Sequence, residues 1–276
     1  MVQVIDLESV PLVERPHVRE GVLRTRRLLT GEPGTPDNFS LQMSSTPTYY
    51  SPRHRHNFDQ VRFQLEGVFD FALDGSMKPG TVAYFPEGTH YGPQSCQTGS
   101  TTLVLQFGGA SGSGYLSAEQ YEQAAADLAK HGTFAKGVYT ELKPDGSKIN
   151  KDAYEAVWEQ VNGRPLKYPG ERYLRPVFMD PESFEWIPIE DQAGASCKQL
   201  GEFSERRTRI SLYKIAPEAS LSLDEHSIYF VLAGAGTVDL KAFKRHTTIH
   251  LGVGEQLTAI ASEPTELLQI GLPSFW

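Results

Sequence analysis

Cysteine is nearly absent from this chain, and the two present do not form a motif. Cys96 and Cys197 stand far apart with no C-x-x-C arrangement, so neither a disulfide framework nor a zinc knuckle is indicated. Two free thiols in a reducing compartment are expected. Positive charge is also short. The 26 Lys and Arg against 34 Asp and Glu leave a formal net charge of −8, which argues against nucleic-acid partners and anionic membrane surfaces. No apolar run approaches membrane-spanning length, and Met1 to Glu8 carries neither a basic region nor a long apolar core. A cytoplasmic protein is expected. No Ser/His/Asp or Cys/His set can be argued from the order of residues, so no catalytic residue is assigned.

Turn-forming residues, by contrast, are plentiful. With Gly 25 and Pro 18 among 276 residues, many turns and short strands are favoured over long helices. The length suits two domains, and 39% hydrophobic residues supply a sizeable core. Phe39 to Ser44 alternates cleanly, as does Gln60 to Glu66. In the second segment Val61, Phe63 and Leu65 share one face, and Gln60, Arg62, Gln64 and Glu66 share the other. Further strands are expected over 22–29, 68–73, 81–85 and 101–107. In the second half they are expected over 209–215, 227–232, 247–251, 256–260 and 265–270. Two helices fall between. Ser117 and Gln120 form a capping box for the first, and Asn150 is the expected cap of the second, which Gly163 ends. The glycine run from Gly108 to Gly114 lacks the Gly-Lys-Ser/Thr ending of a phosphate loop and reads as a connector.

The stretch from His54 to Tyr91 organises the rest. His54 and His56 are separated by one residue, so in extended backbone their imidazoles lie on one face. This face suits a metal ion. Gly67 follows, then Gly80, Pro86 and Gly88, with His90 and Tyr91 closing the stretch. These positions resemble the two signature motifs of the cupin superfamily. Gln60 occupies the glutamate position of the first motif, and Tyr91 the histidine position of the second, with His90 one residue early.

The resemblance implies a mainly β fold, with cupin-type double-stranded β-helix (jelly-roll) barrels and a helical connector. The segment Ser227 to Gly234 parallels Gln60 to Gly67, which is an internal repeat. Aligned on those glycines, Leu221 and Leu223 replace the histidine pair. The whole therefore resembles a bicupin with a degenerate second half. The expected domains are an N-terminal barrel over 1–110 with the metal site, a helical connector over 111–165, and a degenerate barrel over 166–276.

One divalent transition metal per chain is expected, with Fe2+ favoured and Zn2+, Mn2+, Ni2+ or Cu2+ as alternatives. Its ligands would be His54, His56, Gln60 and His90. Strict register favours Tyr91 over His90, but a phenol with its usual pKa near ~10 is a poor ligand unless the metal lowers it. A one-residue shortening of the Pro86–Gly88 turn would bring His90 inward. Arg62, Gln64 and Tyr91 are expected to line the substrate site, Arg62 pairing with an acidic group. The expected function is a metal-dependent enzyme, foremost a non-haem iron oxygenase acting on a small polar or aromatic molecule. The alternative is a non-catalytic bicupin that binds a small molecule as sensor or carrier. A small-molecule ligand is the expected partner, with a homodimer left open.

Overall fold

The structure is a computed structural model that describes residues 2–16, 22–33, 35, 37–112, 114–203 and 206–273. Ser113 of the glycine-rich run lies outside them. The chain divides into two compact units, Leu12–Met179 and Met1–Pro11 with Asp180–Trp276. Among the described residues each is mainly β, and each contains a seven-stranded and a four-stranded sheet. No helix among the described residues is long and apolar enough to cross a membrane.

In the first unit the seven-stranded sheet runs, in spatial order, Val177–Met179, Val82–Phe85, Phe58–Gly67, Ser100–Gly108, Phe39–Thr46, Val22–Thr30 and Val13–Pro16. Its pairings are antiparallel. Tyr49–Ser51, Gln94–Cys96, Phe69–Asp70 and Ser76–Met77 form the smaller sheet. Alternation along Phe58–Gly67 determines the interior. Val61 and Phe63 are buried on the outward face. Gln60, Arg62 and Gln64 turn to a cavity that they line with residues of the neighbouring strands.

The second unit repeats this plan. Its strand Ser227–Ala233 pairs with Thr265–Gly271 as Phe58–Gly67 pairs with Ser100–Gly108. Gly67 ends the first of these strands and Gly234 directly follows the second, at φ +70 and +89. A Cβ there would come within 2.1 Å of the Gly99 carbonyl oxygen or 2.4 Å of Thr265, so both turns require glycine. The interiors differ. Leu221 and Leu223 are each 1% exposed and pack with Tyr229, Val231, Ile249 and Leu251. Each such leucine contributes roughly 1.5–3 kcal/mol of burial free energy and presents no ligand atom.

The unit boundaries differ from the expected 1–110, 111–165 and 166–276. Gln3–Ile5 pairs with Thr248–Leu251 in the second unit, while Val177–Met179 pairs with Val82–Phe85 in the first. Main-chain pairing, not sequence order, sets the division. The segment expected to be a helical connector belongs to the first unit and is not wholly helical. Helix α1 (Ala118–Leu128) has the expected capping box, Ser117 accepting from Gln120 N–H while the Gln120 side chain accepts from Ser117 N–H. Helix α2 (Ala153–Asn162) is capped by Asp152 instead of Asn150, because the strand Lys148–Asp152 runs through Asn150 and ends at Asp152, where the helix begins. That strand completes an unforeseen three-stranded sheet with Gly132–Ala135 and Val138–Leu142.

A buried ionic cluster pins residues 171–173 onto the outward face of the first barrel. Asp59 accepts from Glu87 N–H and Tyr84 OH at 2.7 Å each, and from Arg172 Nη2 at 3.1 Å. Arg172 Nη1 reaches Glu87 Oε1 at 3.3 Å, and Ser111 donates twice to the Glu87 carboxylate. Loss of hydration pushes the Asp59 carboxyl up to about 6, against the opposing pull of Arg172 and these hydrogen bonds. A carboxyl raised above its unfolded value near ~3.9 stabilises the fold most below that value. That contribution is lost as pH rises through about 6. The wild-type advantage over Asp59→Asn should therefore shrink by on the order of 1 kcal/mol between pH 5 and pH 7.5. Urea titrations of both proteins at the two pH values measure this, and an advantage that grows with pH contradicts it.

Candidate functional site

The first barrel holds an open-mouthed cavity of about 160 Å³. Its polar wall follows from strand register. Gln60 pairs with Gln106, Arg62 with Val104 and Gln64 with Thr102, while Val104 and Thr102 pair on their other side with Gln42 and Ser44. Facing residues therefore form cross-strand rows, Gln64–Thr102–Ser44 polar throughout and Arg62–Val104–Gln42 interrupted by a valine. Tyr49, Phe69, Phe71 and Met77 supply an apolar wall.

His54 and His56 also line this cavity. His54 forms a two-hydrogen-bond bridge with Tyr91, N–H to carbonyl at 3.1 and 2.9 Å. The His56 carbonyl accepts from Gly88 N–H at 2.7 Å, which ties the first motif to the turn of the second. The two imidazoles lie 4.9 Å apart, edge to face, and Tyr91 lies 4.6 Å from His54. Tyr154 of α2 meets His56 edge-on at 5.4 Å and donates its hydroxyl to Asn57 at 2.8 Å.

Arg62 holds this cluster together. Its Nε and Nη2 donate to the single oxygen of the Gln60 amide at 2.9 and 2.6 Å. Nη2 also reaches Tyr91 OH at 3.2 Å, and Nη1 donates to Gln94 Oε1 at 2.8 Å. The guanidinium lies 4.4 Å over the Phe85 ring. Since arginine only donates, Gln94 must turn its oxygen to Arg62 and its NH2 to His54 Nε2, 3.3 Å away. His54 Nδ1 in turn lies 2.7 Å from the Pro52 carbonyl oxygen and donates to it. A directed chain thus runs from Arg62 through Gln94 and His54 to Pro52.

Three expected roles need restatement. His90 does not turn inward. Tyr91, 1% exposed, takes the inward place in strict register. The His90 side chain is 43% exposed and bonds Glu171 at 2.9 Å. The cause is strand alternation, since the turn at Gly88 is not shortened and neighbours face opposite ways. Gln64 faces the cavity, yet its amide is used by the barrel itself. Its Nε2 donates to Ser100 Oγ and Glu66 O at 2.7 Å, and its Oε1 accepts from Thr102 at 2.9 Å. Gln64 thus secures the strand irregularity between Thr101 and Thr102. Gln60 lines the cavity, but its oxygen is engaged by Arg62. Gln94 and Tyr154 were not foreseen as site residues. Gln94 sits in a short strand with no motif around it, and Tyr154 on an apolar helix stripe that reads as ordinary packing.

Two imidazoles, His54 and His56, lie side by side at the cavity wall. The other two positions at which the resemblance puts ligands, Gln60 and Tyr91, both accept from a guanidinium instead. Among the described residues no three His, Cys, Asp or Glu side chains converge as a metal site. As placed, these residues do not fit an ion held by three or four protein ligands.

No family model matches this chain, and no curated protein does. Solved structures do. A candidate dioxygenase from Nostoc punctiforme superposes with a TM-score of 0.63 at 12% identity, over 98% of this chain and 82% of that one. A point mutant of Bacillus subtilis oxalate decarboxylase gives 0.57 at 13% identity, over 99% and 78%. Streptomyces albus HEPD, with 2-hydroxyethylphosphonate and Fe(II) bound, gives 0.57 at 13% identity, over 99% and 76%. At such low identity the likeness shows architecture and not reaction: these neighbours are cupin-fold proteins, and this chain has the cupin fold.

Proposed function

We propose that the first barrel binds a small molecule bearing a carboxylate, as a sensor or carrier, with Arg62 as the charged contact. The observation that carries this reading is the state of Arg62. It is a permanent cation at a cavity wall, its hydrogen-bond partners are amide and hydroxyl oxygens, and no carboxylate among the described residues pairs with it. A partly buried charge left to dipoles is incompletely compensated, and a ligand anion supplies the missing charge. Donors are in surplus beside it. Gln60 uses its oxygen on Arg62, which leaves its NH2 group for a ligand, and Arg62 keeps one Nη1 N–H. The aromatic wall accommodates an apolar body. The net charge of −8 disfavours nucleic acid as the partner.

A second reading, a metal-dependent enzyme and foremost a non-haem iron oxygenase, has its own support. His54 and His56 lie together, and the His54 Nδ1–H is anchored on a carbonyl, as in metal-ligating histidines. One structural neighbour has Fe(II) bound. This reading requires Arg62 to leave Gln60. It predicts stoichiometric iron and dioxygen consumption with a cognate substrate.

Thermal unfolding in a panel of small carboxylates separates the two readings. Under the binding reading one member raises stability, by about 2.7 kcal/mol at a hundredfold excess over its Kd, without turnover. Arg62→Ala should weaken that ligand at least tenfold, the loss of a charge-assisted bond worth roughly 1.5–3 kcal/mol. Unchanged affinity in that variant contradicts the proposal. Gln64→Ala has a different expected outcome. It should lower stability by roughly 1–3 kcal/mol, because Ser100, Thr102 and the Glu66 carbonyl lose their partner, while ligand affinity stays within about threefold. Affinity that collapses with stability intact would return Gln64 to the ligand site.

A further inference from the structure

We infer that Arg62 is the resident cation of the first barrel, standing in place of a divalent ion, and that the barrel works without metal. The inference rests on the binding reading for the identity of the ligand, but not for the identity of the cation.

The resemblance places ligands at His54, His56, Gln60 and the position of Tyr91. Three of these four are already organised by Arg62. Gln60 has one acceptor atom, and it takes two guanidinium N–H groups at 2.6 and 2.9 Å. The Tyr91 hydroxyl takes a third at 3.2 Å. The His54 ring is reached through Gln94, whose oxygen accepts from Nη1 at 2.8 Å and whose NH2 faces Nε2 at 3.3 Å. With Nδ1–H committed to Pro52, Nε2 carries the lone pair a metal would need, and it is used as an acceptor. Each polarity in this chain follows from arginine having donors alone. A guanidinium cannot give up its charge in a protein. Held at this place, it repels a dication.

The side chain is also held against swinging away. Its Cζ lies 4.4 Å from the centre of the Phe85 ring, with Phe71 and Tyr91 each 5.6 Å off. Phe71, Phe85 and Tyr91 are themselves packed in one buried cluster. Their π faces favour a cation there. Gln60 and Arg62 lie two apart on one strand face, so the fork is set by β geometry. Gln60 and Arg62 both line the cavity, and the Gln60 NH2 and one Nη1 N–H of Arg62 are not used in the hydrogen bonds above. Two donors with one charge match a monocarboxylate, which is planar and takes two bonds.

The test uses the full chain. Wild type, stripped with EDTA, is titrated anaerobically with Fe2+ and with Co2+, with bound metal counted by elemental analysis after desalting. The expected result is below about 0.1 metal per chain, against one for a filled site. Acetate, pyruvate and benzoate are then titrated by calorimetry with and without EDTA. A carboxylate that binds equally in both supports the inference, with at least tenfold weaker binding in Arg62→Ala and incomplete rescue in Arg62→Lys, which lacks the fork. Uptake of one equivalent of either metal, lost in His54→Ala, overturns the inference whether or not a carboxylate binds. Binding of benzoate only after metal loading also overturns it, while leaving the binding reading intact. If no probe carboxylate binds and no metal is retained, the resident-cation inference stands and the binding reading fails. The wild-type metal count needs no variant to fold.

Discussion

The pairing of Arg62 with the Gln60 amide is the constraint on which the first barrel depends. Both side chains leave the same face of one strand, two residues apart, so strand alternation alone brings them together. Once joined, they decide what the neighbours can do. Gln60 presents its NH2 to the cavity, Gln94 must turn its oxygen to Arg62, and His54 is left to accept from Gln94. A charged side chain loses hydration when partly buried, and three oxygen dipoles and an aromatic face offset only part of that cost. The remainder is available to an anion, and this links the packing of the barrel to its proposed function.

The second unit shows the same architecture with the opposite interior. Where the first barrel has imidazoles and amides, the second has Leu221 and Leu223 packed among Tyr229, Val231 and Ile249. Gly67 and Gly234 serve equivalent turns, so the backbone requirement is shared although the side-chain chemistry is not. Fold and site are specified by different residues here. Turn glycines and strand alternation determine the barrels, and a few inward polar residues determine whether a barrel holds a ligand.

Most of the fold is legible in the sequence because its signals are local. The alternation from Gln60 to Glu66, the capping box at Ser117 and the glycine at the end of α2 each depend on neighbours a few residues away. The inward face of Arg62 follows from the same alternation. Signals failed where tertiary pairing overrode them. Asn150 is a good cap by type, but strand pairing holds it, and Asp152 caps α2. Ligand chemistry favours His90, yet the bridge between His54 and Tyr91 fixes the register and turns His90 to Glu171. Gln94 carries no motif, and only the folded chain brings it, from far along the sequence, to Arg62 and His54. The strand exchange that moves Gln3–Ile5 into the second unit is likewise invisible to local pattern.

The most direct measurement is a crystal structure of the wild-type protein soaked in Mn2+ or Fe2+, with data collected at the metal absorption edge. The account predicts no anomalous peak in the first barrel, and an Arg62 guanidinium bonded to Gln60, Gln94 and Tyr91. A peak bound to His54 Nε2 and His56, with Arg62 swung off Gln60, would contradict it and make the barrel a metal centre.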